Sequence, residues 1–287
     1  MTTDKSPIGD ANKRQAAEAL AILVAAARAG GEIALRDFRK GQATTARVAY
    51  KAGNSPVTQA DLDVDAFLKR ELGAAFPDAG WLSEETADDP GRLALSETIV
   101  VDPIDGTRAF LSGDPRWTVA LALVVDGRPI AGVVHAPALG ETYAASRGAG
   151  ATRNGEPISA SSRKTLDGAR IGGPKPLVGA IAAAAGVGFV QEPKIPSLAY
   201  RFARVADGSL DLALASVNAH DWDIAAADIL LAEAGAGLRD TQGRALNYNR
   251  PSTSRDWLAA APNALIDDLV AALGRAVAAE KAARHET

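Results

Sequence analysis

The 287-residue chain contains no cysteine and only three histidines. Disulfide frameworks, zinc–thiolate sites and cysteine nucleophiles are therefore excluded, and no histidine-rich or cysteine-rich metal site competes with other interpretations. Charge of one sign is not in excess either, because 31 Lys and Arg residues face 35 Asp and Glu residues, for a net charge of −4. A chain without a basic excess lacks the electrostatic footprint of a protein that binds a nucleic acid polymer.

Long apolar runs are also missing. The apolar run 16–29 contains Glu18 and Arg28 and is too short to span a bilayer. The segment Met1–Asp10 is polar and lacks the apolar core of a signal peptide. With 47% apolar and 23% charged residues, the composition is that of an ordinary globular protein. We therefore expect a cytoplasmic enzyme that does not enter a membrane.

Residue periodicity divides the chain into an N-terminal half, 11–158, and a C-terminal half, 159–287, with a soft boundary near 155–165. The N-terminal half should open with a helix over 11–39, a polar loop over 41–57 and a second helix from the N-cap Thr58 to about Leu72. Short β-like runs then predict an antiparallel meander, with a hairpin turn at Asp126-Gly127. These runs are Gly80–Ser83, Thr98–Val101, Trp117–Val125, Ile130–His135 and Glu141–Ser146.

The C-terminal half alternates strand-like with helix-like segments, which indicates an α/β arrangement. A closing helix is predicted over 263–284, and the two halves are expected to share one cleft. The predicted strands are Ala169–Gly172, Gly188–Val190 and Leu210–Leu214, and the predicted helices are Leu177–Ala185, Leu198–Ala206 and Trp222–Ala234.

The most informative segment is Asp-Pro-Ile-Asp-Gly-Thr, residues 102–107, which follows the β-like run Glu97–Val101. Two carboxylates three residues apart at the end of a buried strand are costly unless a cation compensates them. The Gly106-Thr107 pair can turn the backbone and offer amide groups to a phosphate. The segment indicates metal-assisted phosphate chemistry, although Asp-Pro and Asp-Gly are also common in plain turns.

A second acidic cluster lies at the start of the second predicted helix. Asp61 and Asp65 are four residues apart and share a helix face, where like charges repel. For Asp63 and Asp65 we favour a solvated helix face. Asp61 lies in the first turn, where it can also interact with the helix dipole.

Two further acidic clusters complete the set. Glu84 and Glu85 follow a predicted strand and should point to opposite sides, while Asp223 lies where it can cap a helix. Asp228, further along that helix, is interpreted as a surface charge, and His220 as a hydrogen-bonding or packing residue. Together the clusters offer the oxygen ligands that Mg²⁺ prefers.

Four motifs occur in the order and spacing of one family. The chain resembles the inositol monophosphatase-like superfamily of Mg²⁺-dependent, lithium-sensitive phosphatases over roughly residues 50–250. The resemblance implies a layered α-β-α-β-α sugar-phosphatase fold, with an antiparallel sheet in the first half and a smaller α/β second half. Ser83 stands where the family often has Gly. The motifs are Ser-Pro-Val-Thr-Gln-Ala-Asp at 55–61, Ser-Glu-Glu at 83–85, the segment 102–107, and Trp-Asp-Ile-Ala-Ala at 222–226.

The resemblance also implies cofactors and residue roles. It implies two or three Mg²⁺ ions, with Mn²⁺ as a substitute and with inhibition by Li⁺ and Ca²⁺. The implied roles are metal binding for Glu84, Asp102, the carbonyl of Ile104, Asp105 and Asp223; catalysis for Asp61, Thr107 and Glu84; substrate binding for Gly106, Thr107, Arg108, Ser216 and Asp223; and support for Glu85.

Residues outside the motifs bear on the substrate. Inositol-preferring members commonly carry a Glu seven residues before the metal-binding Asp, where this chain has Ser216. Asp221, the stretch 88–93 and the segment 107–110 look more like the 3′(2′),5′-bisphosphate nucleotidases (CysQ-type). Arg108 and Arg116 are candidates for a second phosphate, or else ordinary surface residues. We therefore expect hydrolysis of 3′-phosphoadenosine 5′-phosphate to AMP and phosphate.

Two alternatives stay open. An inositol, histidinol or sugar-phosphate monophosphatase would use the same site on a different small phosphorylated substrate. A protein that acts mainly by binding a partner, as some members of the superfamily do, would not need the complete ligand set. Dimers are frequent in the family, so a homodimer is possible, but no decisive surface patch is visible in the sequence.

Overall fold

The structure of the protein, a computed structural model, describes residues 10–285 except 52 and 54. The polar segment Met1–Asp10, which lacks the apolar core of a signal peptide, therefore lies almost entirely outside the described residues. Among these residues no helix combines the length and the apolar character needed to cross a bilayer. The helices are α1 (Asp10–Leu35), α2 (Gln59–Ala75), α3 (Thr107–Ser112), α4 (Lys175–Ala185), α5 (Leu198–Ala206), α6 (Asp221–Glu233) and α7 (Ile266–His285).

The larger sheet has seven strands. They are β3 (Gly80–Ser83), β4 (Glu97–Asp105), β5 (Thr118–Val125), β6 (Arg128–Ala136), β7 (Glu141–Ser146), β8 (Ala151–Arg153) and β9 (Glu156–Ile158). Strands β4 to β7 form the predicted antiparallel meander, and β8 and β9, which were not predicted, extend it. The prediction that β3 also joins this meander is wrong, because β3 pairs with β4 in parallel. Asp126 and Gly127 both adopt positive φ and form the predicted two-residue turn between β5 and β6.

The smaller sheet has five strands, which are β10 (Ala169–Gly172), β11 (Phe189–Gln191), β12 (Leu212–Ala215), β14 (Ala236–Asp240) and β16 (Leu258–Pro262). Their order across the sheet is β11-β10-β12-β16-β14. The first three are parallel and alternate with α4 and α5, as predicted. The sequence analysis missed β14 and β16. Neither segment contains a β-branched or aromatic residue, so local propensity gave no strand signal.

Two short ribbons complete the strands. One pairs β1 (Val48–Tyr50) with β2 (Pro56–Thr58), and the other pairs β13 (Ala219–His220) with β15 (Ser254–Arg255). The prediction of a plain loop over 41–57 is therefore wrong, because β1 and most of β2 lie within it. Strands of two or three residues are too short to show a periodicity of their own.

The layers alternate as the α-β-α-β-α arrangement requires. Side chains on β5 alternate between two cores: Leu121 faces α1 and α2, while Ala122 faces α5 and α6. Helices α5 and α6 lie between the two sheets, and α4 and α7 cover the outer face of the smaller sheet. The acidic motifs lie at strand ends and helix starts along this central layer.

Candidate active site

Parallel pairing of β3 and β4 brings Glu84 beside Asp102. Ser83 pairs with Val101, and the Glu84 amide donates to the Val101 carbonyl at 3.3 Å. Parallel strands end at the same edge of a sheet, so the residues that follow each strand lie close together. A second carboxylate therefore reaches the end of β4 from a separate motif.

A β-bulge in β4 separates Asp102 from Asp105. Asp102 pairs with Ala120, but Asp105 pairs with Thr118, so β4 holds one extra residue against β5. In a regular strand, residues three apart would face opposite sides of the sheet. The extra residue re-aims the strand end, and both carboxylates reach the same cluster. Gly106 follows with φ of 92°, a left-handed conformation that suits glycine.

Asp105 lies against the N-terminus of α5. Its carboxylate accepts hydrogen bonds from the Ser197 hydroxyl at 2.5 Å and from the Leu198 and Ala199 amides at 3.2 and 2.7 Å. Ser197 is also the N-cap of α5. Burial raises the pKa of Asp105 to about 6, although these hydrogen bonds favour the ionised form.

Asp223 lies in the first turn of α6. Its Oδ2 accepts a hydrogen bond from the amide of His220, the N-cap residue, at 2.6 Å, so Asp223 takes part in capping the helix as its third residue and not as the N-cap. The His220 ring stacks on Trp222 with centroids 4.5 Å apart and bonds Thr253 Oγ1 at 3.1 Å. This confirms the packing role expected for His220.

Asp102, Asp105 and Asp223 form one cluster with carboxylate oxygens within 4.8 Å of one another. Asp102 Oδ1 accepts from the Ile104 amide at 3.1 Å, but the buried Oδ2 has no hydrogen-bond partner among the described residues. Burial, and then the charge of Glu84, raises the pKa of Asp102 well above its usual range. Burial, and then the charge of Asp105, also raises the pKa of Asp223 well above its usual range. A buried oxygen-rich cluster with an unpaired oxygen fits a divalent cation.

Asp61 and Thr107 come together at one side of this cluster. Thr107 Oγ1 donates to Asp61 Oδ1 at 3.3 Å and lies 3.2 Å from the Ile104 carbonyl. Asp61 Oδ2 accepts from the Thr58 amide at 2.8 Å and from its hydroxyl at 2.5 Å. The Asp61 amide in turn donates to Thr58 Oγ1 at 3.3 Å, so the predicted N-cap Thr58 belongs to a capping box. Burial raises the pKa of Asp61 to about 6. The pair has the arrangement of a base and a hydroxyl that relays a proton.

Lys51 bridges Glu84 and Glu85. Its ammonium lies 3.1 Å from Glu84 Oε1 and 2.8 Å from Glu85 Oε2. The two carboxylates therefore converge on one cation, and the prediction that they point to opposite sides is wrong. β3 ends at Ser83, so strand alternation does not extend to them. Burial raises the pKa of Glu85 to about 7, against the effect of Lys51.

Replacing Lys51 by methionine should strengthen divalent-cation binding at Glu84, because the ammonium neutralises the carboxylate that a cation would use. A half-exposed ion pair of this kind contributes about 1 kcal/mol, so we expect a roughly fivefold lower Mn²⁺ dissociation constant. Titration of free Mn²⁺ by electron paramagnetic resonance measures it, with the exposed Lys69→Met as control for the lost charge. Weaker Mn²⁺ binding in Lys51→Met would show that Lys51 supports Glu84 instead of competing for it.

Two acidic side chains are not the surface charges that the helix pattern suggested. Asp65 is buried, and its carboxylate accepts hydrogen bonds from Ser83 Oγ and from Thr86 Oγ1 at 2.6 Å. Asp228 is half-buried and accepts from Tyr248 OH at 2.9 Å. Asp63, in contrast, is exposed as expected and accepts from Gln59 Nε2. Asp65 therefore fastens α2 to the segment that carries Glu84.

The acidic cluster opens into a cleft made of three adjoining cavities. A cavity of 220 Å³ lies against Asp105, Asp223, Arg201 and Ser216. A cavity of 410 Å³ shares Asp223 and continues to Glu84 and Trp222. The largest, 940 Å³, shares Arg201 and Ser216 and is also lined by Lys175 and Lys194.

The other predicted substrate residues have different surroundings. Ser216 is exposed on its wall, and Arg108 is an exposed residue of α3. Arg116 is held by Asp114, at 2.5 and 2.8 Å, and by the Lys194 carbonyl at 2.8 Å. The Arg116 guanidinium therefore orders the loop that carries Lys194.

Sequence reasoning missed three residues of the site. Lys51 precedes Asp61 in a loop without a motif, and Arg201 lies on the inner face of α5, where its guanidinium donates to the Ile195 and Leu214 carbonyls. Ser197 precedes the predicted helix at Leu198, which is a cap signal, but its bond to Asp105 spans 92 residues. These contacts arise from tertiary packing and leave no local pattern.

The sequence profile of the inositol monophosphatase family matches residues 15–278. The chain therefore belongs to the inositol monophosphatase family, and it is a phosphatase of the phosphoric-ester hydrolase class. The site described above, with its acidic cluster at the end of β4, lies within the matched residues.

Relatives of different activity resemble the chain to a similar degree. It is 35% identical over 215 residues to a 3′(2′),5′-bisphosphate nucleotidase CysQ of Aggregatibacter actinomycetemcomitans, covering 71% of this chain and 78% of the relative. It is 33% identical over 233 residues to an inositol-1-monophosphatase of Rhizobium meliloti, covering 78% and 86%. The crystal structure of the extragenic suppressor protein suhB of Bartonella henselae matches with a TM-score of 0.77 and 28% identity, over 89% of this chain and 98% of that chain.

Proposed function

We propose that this site hydrolyses a phosphate monoester by direct attack of water, with Mg²⁺ held by Glu84, Asp102, Asp105 and Asp223 and the carbonyl oxygen of Ile104. The observation that carries the proposal is the convergence of three carboxylates within 4.8 Å, one of them with a buried oxygen that has no hydrogen-bond partner in the described part of the chain. Bound Mg²⁺ supplies positive charge that acidifies water and neutralises charge on the phosphoryl oxygens.

The residues of the chain position water and phosphate around that charge. The Thr107 hydroxyl donates to Asp61, so its oxygen is free to accept a proton from water while Asp61 accepts the proton of Thr107. The Gly106 and Thr107 amides lie at the start of α3 and hold the phosphate in line with the water. Glu85, buried behind Glu84 and paired with Lys51, holds that edge of the site.

For the substrate we infer 3′-phosphoadenosine 5′-phosphate, cleaved to AMP and phosphate in the cytoplasm. The support is the 940 Å³ cavity beside the cluster, with Lys175, Lys194 and Arg201 in its lining. A nucleoside with a second phosphate needs a larger cavity and more cationic groups than an inositol ring, which carries only hydroxyl groups beyond the phosphate that is cleaved. Ser216, on the wall shared by two cavities, also lacks the carboxylate that would accept hydrogen bonds from ring hydroxyls.

Phosphate release from three substrates tests this choice. With Mg²⁺, we expect the highest kcat/KM on 3′-phosphoadenosine 5′-phosphate and lower values on inositol 1-phosphate and histidinol phosphate. The double variant Lys175→Met/Lys194→Met should raise KM for the nucleotide about tenfold, since two exposed lysine–phosphate pairs contribute up to about 1 kcal/mol each and 1.4 kcal/mol is tenfold. It should leave inositol 1-phosphate turnover nearly unchanged.

Faster turnover of inositol 1-phosphate, or an equal loss on both substrates in the double variant, would instead favour the polyol monophosphatase. The exposed double variant Lys40→Met/Lys69→Met is the matched control for the two lost positive charges. An equal KM increase in that control would attribute the effect to long-range charge and not to the cavity.

The partner-binding alternative has its own test. Asp105→Asn should abolish turnover with little change in the backbone, because the amide oxygen can still accept from the Ser197 hydroxyl and the Ala199 amide, and only the longer bond from the Leu198 amide is lost. If a host strain lacking the gene regains its full phenotype with Asp105→Asn, binding and not catalysis is the biological role.

A further inference from the structure

The segment 247–255 fixes the start of α6, the helix that carries Asp223. Strands β13 and β15 pair Ala219 with Arg255 and His220 with Ser254. The Asp221 amide then donates to the Thr253 carbonyl at 3.0 Å. The backbone that enters α6 is therefore hydrogen-bonded to a segment more than 30 residues downstream.

Side chains join the same two segments through a buried ion pair. Arg255 Nε donates to Asp221 Oδ1 at 2.6 Å, and Arg255 Nη2 lies 2.5 Å from the same oxygen. Nη2 also donates to the Asn247 carbonyl at 2.7 Å, and the guanidinium lies over the Tyr248 ring, 5.1 Å from its centroid. The two side chains are 6% and 0% exposed. The guanidinium is thus held on three sides and sets where Asp221 lies.

Stability alone does not explain this pair. A buried ion pair is often no more stabilising than apolar side chains of similar volume, because both charges lose their hydration. What the pair does supply is a fixed geometry at the first residue of α6. Asp223 follows two residues later, and its Oδ2 is bound by the His220 amide, the residue directly before Asp221.

We propose that Arg255 is a positioning residue for the metal site: through Asp221 it holds the start of α6 so that the carboxylate of Asp223 meets Asp102 and Asp105. The inference rests on the proposed metal site. Groups that orient metal ligands from behind typically change metal affinity by about 10–100-fold when they are removed. Arg255 orients Asp223 indirectly: it binds Asp221, and Asp221 lies at the start of the helix that carries Asp223.

Mn²⁺ binding to the whole protein without substrate, followed by electron paramagnetic resonance, tests the proposal. We expect Arg255→Met to raise the Mn²⁺ dissociation constant about tenfold or more, with substrate KM at saturating Mg²⁺ nearly unchanged. Arg255→Lys, which keeps a cation for Asp221, should recover part of the affinity. Tyr248→Phe is the matched control, because Tyr248 OH binds Asp228 on the same helix, further from the cluster.

The outcomes separate the two proposals. If the unaltered protein binds no Mn²⁺, the proposed metal site itself fails. If it binds Mn²⁺ and Arg255→Met has an affinity within twofold, or Tyr248→Phe loses as much, the positioning role is overturned. Should Arg255→Met fail to fold, the double variant Asp221→Asn/Arg255→Met replaces it, because it leaves no unpaired buried charge. Weaker Mn²⁺ binding in the double variant supports the positioning role, and unchanged binding contradicts it.

Discussion

Replacing Asp102 by asparagine should abolish turnover and, in the metal-free protein, raise the free energy of unfolding. The carboxylate lies buried among Asp105, Asp223 and Glu84, and its Oδ2 has no hydrogen-bond partner among the described residues. An amide removes one of the crowded charges and keeps the acceptor for the Ile104 amide. We expect a gain of about 1–3 kcal/mol in denaturant unfolding without metal, and a loss of activity of roughly 10³-fold or more with Mg²⁺.

Asp211→Asn provides the matched control with the opposite sign. Asp211 is also buried, but its carboxylate accepts from the Arg170 amide and guanidinium and lies 3.3 Å from Arg163 Nε. Removing its charge should lower the unfolding free energy and leave metal binding intact. A destabilised Asp102→Asn protein, or one that still turns over substrate, would contradict the claim that the Asp102 carboxylate destabilises the metal-free protein and binds the cation.

Asp61→Asn should lower kcat about 10²–10⁴-fold while Mn²⁺ binding stays near that of the unaltered protein. Asp61 contacts Thr107 and Thr58 and is not one of the three clustered carboxylates. An amide still accepts the Thr58 hydrogen bonds but no longer takes a proton from Thr107. Single-turnover phosphate release measures the chemical step, and Mn²⁺ titration measures the metal site.

The exposed Asp63→Asn, two residues further along α2, removes the same charge without reaching the cluster and should leave kcat unchanged. A parallel loss of Mn²⁺ affinity in Asp61→Asn would make Asp61 a metal-site residue and not a base. Together with Asp102→Asn, this pair of variants separates the residues that hold the cation from those that move the proton.

The sequence predicted the acidic cluster because its members belong to local motifs. Asp102 and Asp105 end a strand that apolar residues predict, and Asp223 lies in the first turn of a predicted helix. The β-bulge that brings the first two to one side does not show in the sequence, because it depends on the register against β5. The same holds for the parallel pairing that places Glu84 beside Asp102.

Where sequence reasoning failed, a distant partner decided the outcome. Asp65 has the spacing of a solvated helix face, yet Ser83 and Thr86, about 20 residues away, bind its carboxylate inside the protein. Asp228 is similar, since Tyr248 is its partner. Strand β16 holds three alanines and a proline, so its position between β12 and β14 follows from packing and not from propensity.

The most direct test of the account is phosphate release by metal-stripped protein as Mg²⁺ is added back. We expect no measurable hydrolysis of 3′-phosphoadenosine 5′-phosphate, inositol 1-phosphate or histidinol phosphate in excess chelator. We expect turnover of at least one of these substrates when Mg²⁺ is added, and no recovery of activity in Asp105→Asn. Hydrolysis that persists in excess chelator, or full activity of Asp105→Asn, would contradict the central role of the carboxylate cluster.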